Sequence, residues 1–329
     1  MLSGQSRQVS LTTRLDAYQR NHPGAGFPLA VIYKHVDDQG GYLAALIAYY
    51  GLLSLFPLLL LTSTLLGLVL AGDPHLQEKV LHSALMDFPV IGSQLGQPKK
   101  LSGGVGGLLI GSLGALYGGL GVAQAVQNAM NTAWRVPRNS RPNPIKVRLR
   151  SLVLLLAAGL SLVITTVLSA VGSGAGAYGV VARGLVLVVS VLLNALVFVL
   201  VFRKSTTRPV SVQDVAPGAV AAAVLWQLLQ SFGATYVKHT VRGASATNSV
   251  FALVLGLIAF LYLASLALVL CVQANAVRVD HLHPRSLLTP FTDRVQLTEG
   301  DRRAYTEQAQ AQRSKGFQDI DVTFGDSPP

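Results

Sequence analysis

Long runs of residues without a single charge set the first limit on how this chain folds. From Gln39 to Gly72, and again from Leu101 to Trp134, no Asp, Glu, Lys or Arg occurs. The hydrocarbon core of a bilayer is roughly 30 Å thick and a helix rises about 1.5 Å per residue, so about 20 apolar residues cross it. Six segments reach that length: Tyr42–Ala71, Val105–Ala129, Leu152–Val171, Val181–Phe202, Pro217–Val237 and Val250–Val277. Strands do not replace them, because an open sheet edge in lipid leaves backbone groups unpaired and barrel strands alternate in polarity. The expected fold is all-α: a polytopic transmembrane bundle of six helices.

Composition supports this. Only 12% of the 329 residues are charged, about half the share of an average soluble domain. The net charge of +11 is distributed as in a membrane protein. Twenty of the 26 Lys and Arg fall before the first span, between spans two and three, between spans four and five, or after the sixth. Basic residues gather on the cytoplasmic side and meet anionic headgroups there. Both termini are therefore expected in the cytoplasm of a cell whose plasma (inner) membrane holds the protein. The expected partners are membrane lipids, and nucleic acid is not among them.

Three regions follow: residues 1–41, a cytoplasmic segment; 42–277, the transmembrane domain; and 278–329, a polar tail expected to be mobile. Leu29, Val31, Ile32 and Val36 among polar residues suggest a short interfacial amphipathic helix before the first span. Asp73-Pro74, an N-cap followed by proline, suggests another on the external face, with Leu76, Val80 and Leu85 as its apolar stripe.

Within the spans, Pro57 removes a backbone hydrogen bond and is expected to act as a hinge. Gly103, Gly107, Gly111, Gly114 and Gly118 form a small-residue stripe that permits close helix approach. The stripe fits either a homo-oligomer or another helix of the same chain. Gln124, Gln127, Asn128 and Asn131 then recur on one helical face. Asn194, Gln227, Gln230, Gln273 and Asn275 lie in the fourth, fifth and sixth spans. Buried amides need partners. Either these nine face a polar, cytoplasm-open cavity, or they bond helix to helix.

Some chemistry is disfavoured. No Asp or Glu lies between Asp87 and Asp214 or between Asp214 and Asp280, which leaves a proton pump without its usual acids. Cys271 is the single cysteine, so neither an internal disulfide nor a thiol metal cluster forms. Asp280, His281 and His283 lack the spacing of a helical metal pair. No catalytic residue, metal or cofactor is expected, and Arg183 near the external end of the fourth span is expected to snorkel.

The run Ala44, Leu46, Ala48, Tyr49 and Tyr50, leading to Leu55-Phe56-Pro57, resembles the opening motif of the YihY/BrkB family, formerly labelled ribonuclease BN. Ala216-Pro217-Gly218-Ala219, Trp226, Phe232, Tyr236, Gly243-Ala244-Ser245-Ala246 and Phe260-Leu261-Tyr262 follow in the family's order. Cys271, Gln273 and Asn275 end the last span where the family usually reads G-A-E-x-N. The resemblance implies six spans with cytoplasmic ends and a link to envelope integrity and virulence, with movement of lipid or another envelope component as a suggested role. It supplies no established activity. The ribonuclease label fits poorly, since phosphodiester hydrolysis generally needs clustered acids, a metal or a positioned base. A structural or scaffolding role is the alternative.

Overall fold

The computed structural model of the protein describes residues 14–69, 104–143, 145–155, 179–241, 246–293 and 295–325. No strand occurs among them. The elements are α1 (Pro23–Asp37), α2 (Gly40–Val69), α3 (Gly104–Ala133), α4 (Gly179–Ser205), α5 (Val212–Val241), α6 (Ala246–Val279) and α7 (Glu299–Gln310), with further helical stretches at 14–21 and 145–155. Among the described residues four windows are long and apolar enough to cross a membrane: Leu109–Ala133, Leu187–Ser205, Val212–Phe232 and Val254–Val279. α2 begins with a shorter apolar stretch, Gly40–Leu55. The expected third span starts within 145–155, and its remainder lies outside the described residues. So do the expected external helix after Asp73 and the Arg183 side chain.

The core sits at one end of the bundle. There α2 and α5 begin and α3, α4 and α6 finish, burying Ala44, Met130, Trp134, Phe202, Val215 and Val272 together. Away from that end the helices turn apolar side chains outward: Leu185, Leu192 and Leu196 of α4 are 56–66% exposed. Water penalises such a surface by about 25 cal/mol per Å²; lipid does not.

Gly114 and Gly118 of the small-residue stripe pack on α2 of the same chain. A Cβ at Gly118 would stand 2.5 Å from the Ser54 Cα, and one at Gly114 would stand 2.7 Å from the Pro57 ring. Gly121, one turn on, lies against the Tyr50 ring. Pro57 lies inside the helix, its ring seated on Gly114. Gly118→Ala is expected to cost about 2 kcal/mol, because the obstructing atoms are backbone. Gly106→Ala, where nothing lies within 4 Å, serves as the control. Thermal unfolding in detergent checks both.

Proline interrupts α5 at its first turns, and α6 repairs the break. Pro217 has no N–H for the Gln213 carbonyl, and Arg278 Nη2 donates to that oxygen at 2.8 Å and to the Asp214 carbonyl at 2.9 Å. The Gly218 N–H donates to Asn275 Oδ1 at 2.9 Å, while Asn275 Nδ2 donates to the Val215 carbonyl at 3.0 Å. Gly218 has no room for a side chain, since Asn275 and the Cys271 carbonyl occupy that space.

After Arg278 the described residues are tied to the bundle by charges that satisfy one another. Arg285, fully buried, pairs with Asp301 at 2.5 Å and with Asp37 of α1 at 3.1 Å. Its guanidinium lies 5.8 Å from the Tyr33 ring and 5.2 Å from the Tyr305 ring. Thr298 and Asp301 close a capping box at the start of α7. Beyond α7, backbone N–H groups of Arg138 and Asn139 donate to the carbonyls of Ala311 and Arg313 at 3.2 and 3.1 Å. α1 packs against α6 and α7, with Ala30 in one cluster with Val277 and Ala304. It buries Ala30, Tyr33 and Lys34 and leaves Ile32 and Val36 exposed, as suits a helix at an interface.

Candidate functional site

α3 ends in a Schellman motif. The Val136 N–H reaches the Asn131 carbonyl at 2.8 Å and the Arg135 N–H reaches the Thr132 carbonyl at 3.0 Å. Arg135 takes the left-handed position, φ 51°, where glycine is usual. Pro137 follows and stops the helix. The chain then makes a 3₁₀ turn at Arg138–Ser140 beneath the start of α2.

Two adjoining cavities open here. One, about 410 Å³, is walled by Trp134, Arg135, Thr207, Arg208, Glu307 and Gln310, among others. The second, about 370 Å³, includes Asp37, Asp38, Asn128, Arg135, Arg138 and Arg141. Arg135 and Ala311 belong to both. These volumes fall within the range of small-molecule sites, roughly 300–1,000 Å³.

The charges around the cavities are mostly paired. Arg208 grips Asp280 with two bonds, 2.9 and 2.6 Å, and lies 5.1 Å over the Trp134 ring. Lys34 Nζ stands 3.0 Å from Asp38 Oδ2 with both side chains buried. Burial pushes the Lys34 pKa down, although Asp38 opposes the shift. Burial also raises Glu307, and the Asp280 charge adds to this against Arg135, Lys34 and Arg208.

The nine amides of the sequence are placed differently from one another. Asn128 lines the smaller cavity and accepts from Arg141 Nη1 at 2.8 Å. Gln273, fully buried, donates to Asp38 at 3.1 Å and accepts from His35 Nδ1 at 2.8 Å. An ionised glutamate at 273 would confront Asp38; the amide donates to it. Gln127 donates to Ser151 at 2.8 Å and to the Val147 carbonyl, fastening α3 to the helical stretch 145–155. Asn131 Oδ1 accepts from the Thr207 N–H at 2.9 Å and from the Thr206 and Thr207 hydroxyls, which pins the connection between α4 and α5. Asn275 serves the break at Pro217. Gln124, Asn194, Gln227 and Gln230 are half-buried farther along α3, α4 and α5.

Asp280, His281 and His283 diverge: Asp280 holds Arg208, His281 is exposed, and the His283 ring meets Phe27 edge-on at 5.8 Å. Among the described residues no group of three His, Cys, Asp or Glu side chains is placed to hold a metal ion. Sequence reasoning missed Arg135, Lys34–Asp38 and the Arg285 network. The available signals were an arginine followed by Val-Pro at a helix end, and the Thr298–Asp301 capping spacing.

The profile of the virulence factor BrkB family matches residues 31–292. The chain belongs to that family. It is 28% identical over 268 residues to the ribonuclease-like protein YfkH of Bacillus subtilis (strain 168), covering 78% of this chain and 94% of the relative. No solved structure matches. The family match spans α2 to α6 and reaches Arg285, while Asp301 and Glu307 lie beyond it. This BrkB-family chain is accordingly a membrane protein, with apolar helices of spanning length and a polar end to the bundle.

Proposed function

We propose that this BrkB-family protein is a six-span transporter or lipid-handling factor of the inner membrane, with both termini and the two cavities facing the cytoplasm. The observation that carries this reading is the pair of cavities at the end of the bundle that bears the basic connections. Asn128 and three arginines line the smaller one, while apolar helix surfaces face outward above it. A polar recess beside lipid-facing helices suits a cargo with a charged head and an apolar body. Reconstitution into liposomes with a panel of fluorescent lipids of different headgroups is the test. Faster movement of at least one lipid between leaflets than in protein-free liposomes supports the reading; identical rates for every headgroup overturn it.

A scaffolding role has its own support. Gln127, Asn131 and Asn275 are bonded within the chain, and the glycine face of α3 is occupied by α2, an arrangement that favours rigidity. Crosslinking in cells that captures one stoichiometric membrane partner, together with no lipid movement, would favour this second reading.

A further inference from the structure

Arg135 stands apart from the other buried charges at the cavities. Its side chain is 4% exposed, and its nearest carboxylate, Glu307, lies 3.9 Å away. Nε, Nη1 and Nη2 are closed to solvent and make no hydrogen bond. A buried cation whose donors make no hydrogen bond and whose one carboxylate neighbour stands at the limit of an ion pair is unfavourable. The backbone adds strain of its own, because a non-glycine residue in the left-handed region is unfavourable. The strained position thus sets a guanidinium with three unmet nitrogens in the wall shared by two cavities.

We propose that Arg135 is the anchor of a phosphate-type oxyanion site, the anion being carried by a lipid headgroup or free in solution. A guanidinium presents its donors as a planar fork that matches such oxyanions. Neighbouring charge favours the same class: Arg138 and Arg141 line the smaller cavity. The opposing acids are mostly occupied, Asp37 by Arg285, Asp38 by Lys34 and Gln273, and Asp280 by Arg208. Glu307 is the competitor. Its side chain is 32% exposed, so swinging it outward opens Arg135 to the larger cavity. This inference rests on the cavity reading above and names the chemistry of its ligand.

The test uses the full chain in nanodiscs of zwitterionic lipid, with affinity measured by calorimetry. The probes are inorganic phosphate, a short-chain phosphatidylglycerol and, as control, a short-chain phosphatidylcholine. Arg135→Gly removes the guanidinium and places the preferred residue in the left-handed position, so it is expected to fold at least as stably while losing tenfold or more in affinity. Arg135→Lys keeps the charge without the fork and should fall between. Glu307→Gln should bind several-fold tighter. Binding of phosphate alone identifies a free anion; binding of phosphatidylglycerol without phosphate identifies a lipid headgroup. No binding of either anion, equal binding of phosphatidylcholine, or unchanged affinity in a folded Arg135→Gly protein overturns the inference. Anion binding without lipid movement would sink the transport reading instead, so the two fail separately.

Discussion

Arg285→Met should destabilise the protein by about 4 kcal/mol, the size expected when one member of a buried ion network is removed. The substitution leaves Asp301 and Asp37 without their shared cation. At Asp301, burial raises the pKa, but the N–H groups of Thr298 and Ser286 and the Arg285 guanidinium more than offset it, so the carboxyl is held below its usual range. A depressed carboxylate contributes stability above its unfolded value and loses it as pH falls through the folded one. Asp37 behaves oppositely: burial dominates and raises it despite Arg285. Once the cation is gone, each ionised carboxylate is a cost that protonation relieves. The deficit of Arg285→Met is therefore largest at neutral pH and narrows on mild acidification. Denaturation of wild type and variant at both conditions measures it, and a pH-independent difference would contradict the assignment. Function should follow stability, because Arg285 holds α7, and α7 supplies Glu307 and Gln310 to the larger cavity.

Asn275→Leu is the second large effect, about 3 kcal/mol. Its amide serves two buried backbone groups, the Gly218 N–H and the Val215 carbonyl, and each costs about 1–3 kcal/mol when left without a partner. Leucine is close in size, so the loss reflects unmet hydrogen bonds more than a void. Ser231→Ala, on an exposed part of the same helix α5, should be neutral by comparison. Unfolding in detergent, with α5–α6 proximity followed by a disulfide or spin-label pair, separates local opening from global loss.

Five apolar helices were legible because an uncharged run of twenty or more residues has few alternatives: α2, α3, α4, α5 and α6 start and stop within five residues of the hydropathy limits. The glycine stripe was legible as close packing, although spacing alone does not say which helix it meets. The amides were visible as polar groups in need of partners. Asn131 and Asn275 have partners on backbone of other elements, far away in sequence, which one-dimensional periodicity does not reveal. The contacts made after Arg278 were hidden for a related reason. Composition counts charges, whereas Arg285, Asp301 and Asp37 are stable inside the protein because they are paired. Arg135 was counted as one more basic residue of a cytoplasmic loop; only the left-handed backbone and the unmet nitrogens distinguish it from Arg138.

The backbone bonds from Arg138 and Asn139 to Ala311 and Arg313 bear on how the orientation of this protein must be determined. Residues from the far end of the polypeptide complete the environment of the first basic connection. A reporter that terminates translation at Ser140 therefore reports on a half-built molecule whose arginines have lost their cover. An in-frame insertion at the exposed Ser140, with everything downstream retained, leaves that clasp in place and gives the sidedness of the intact protein.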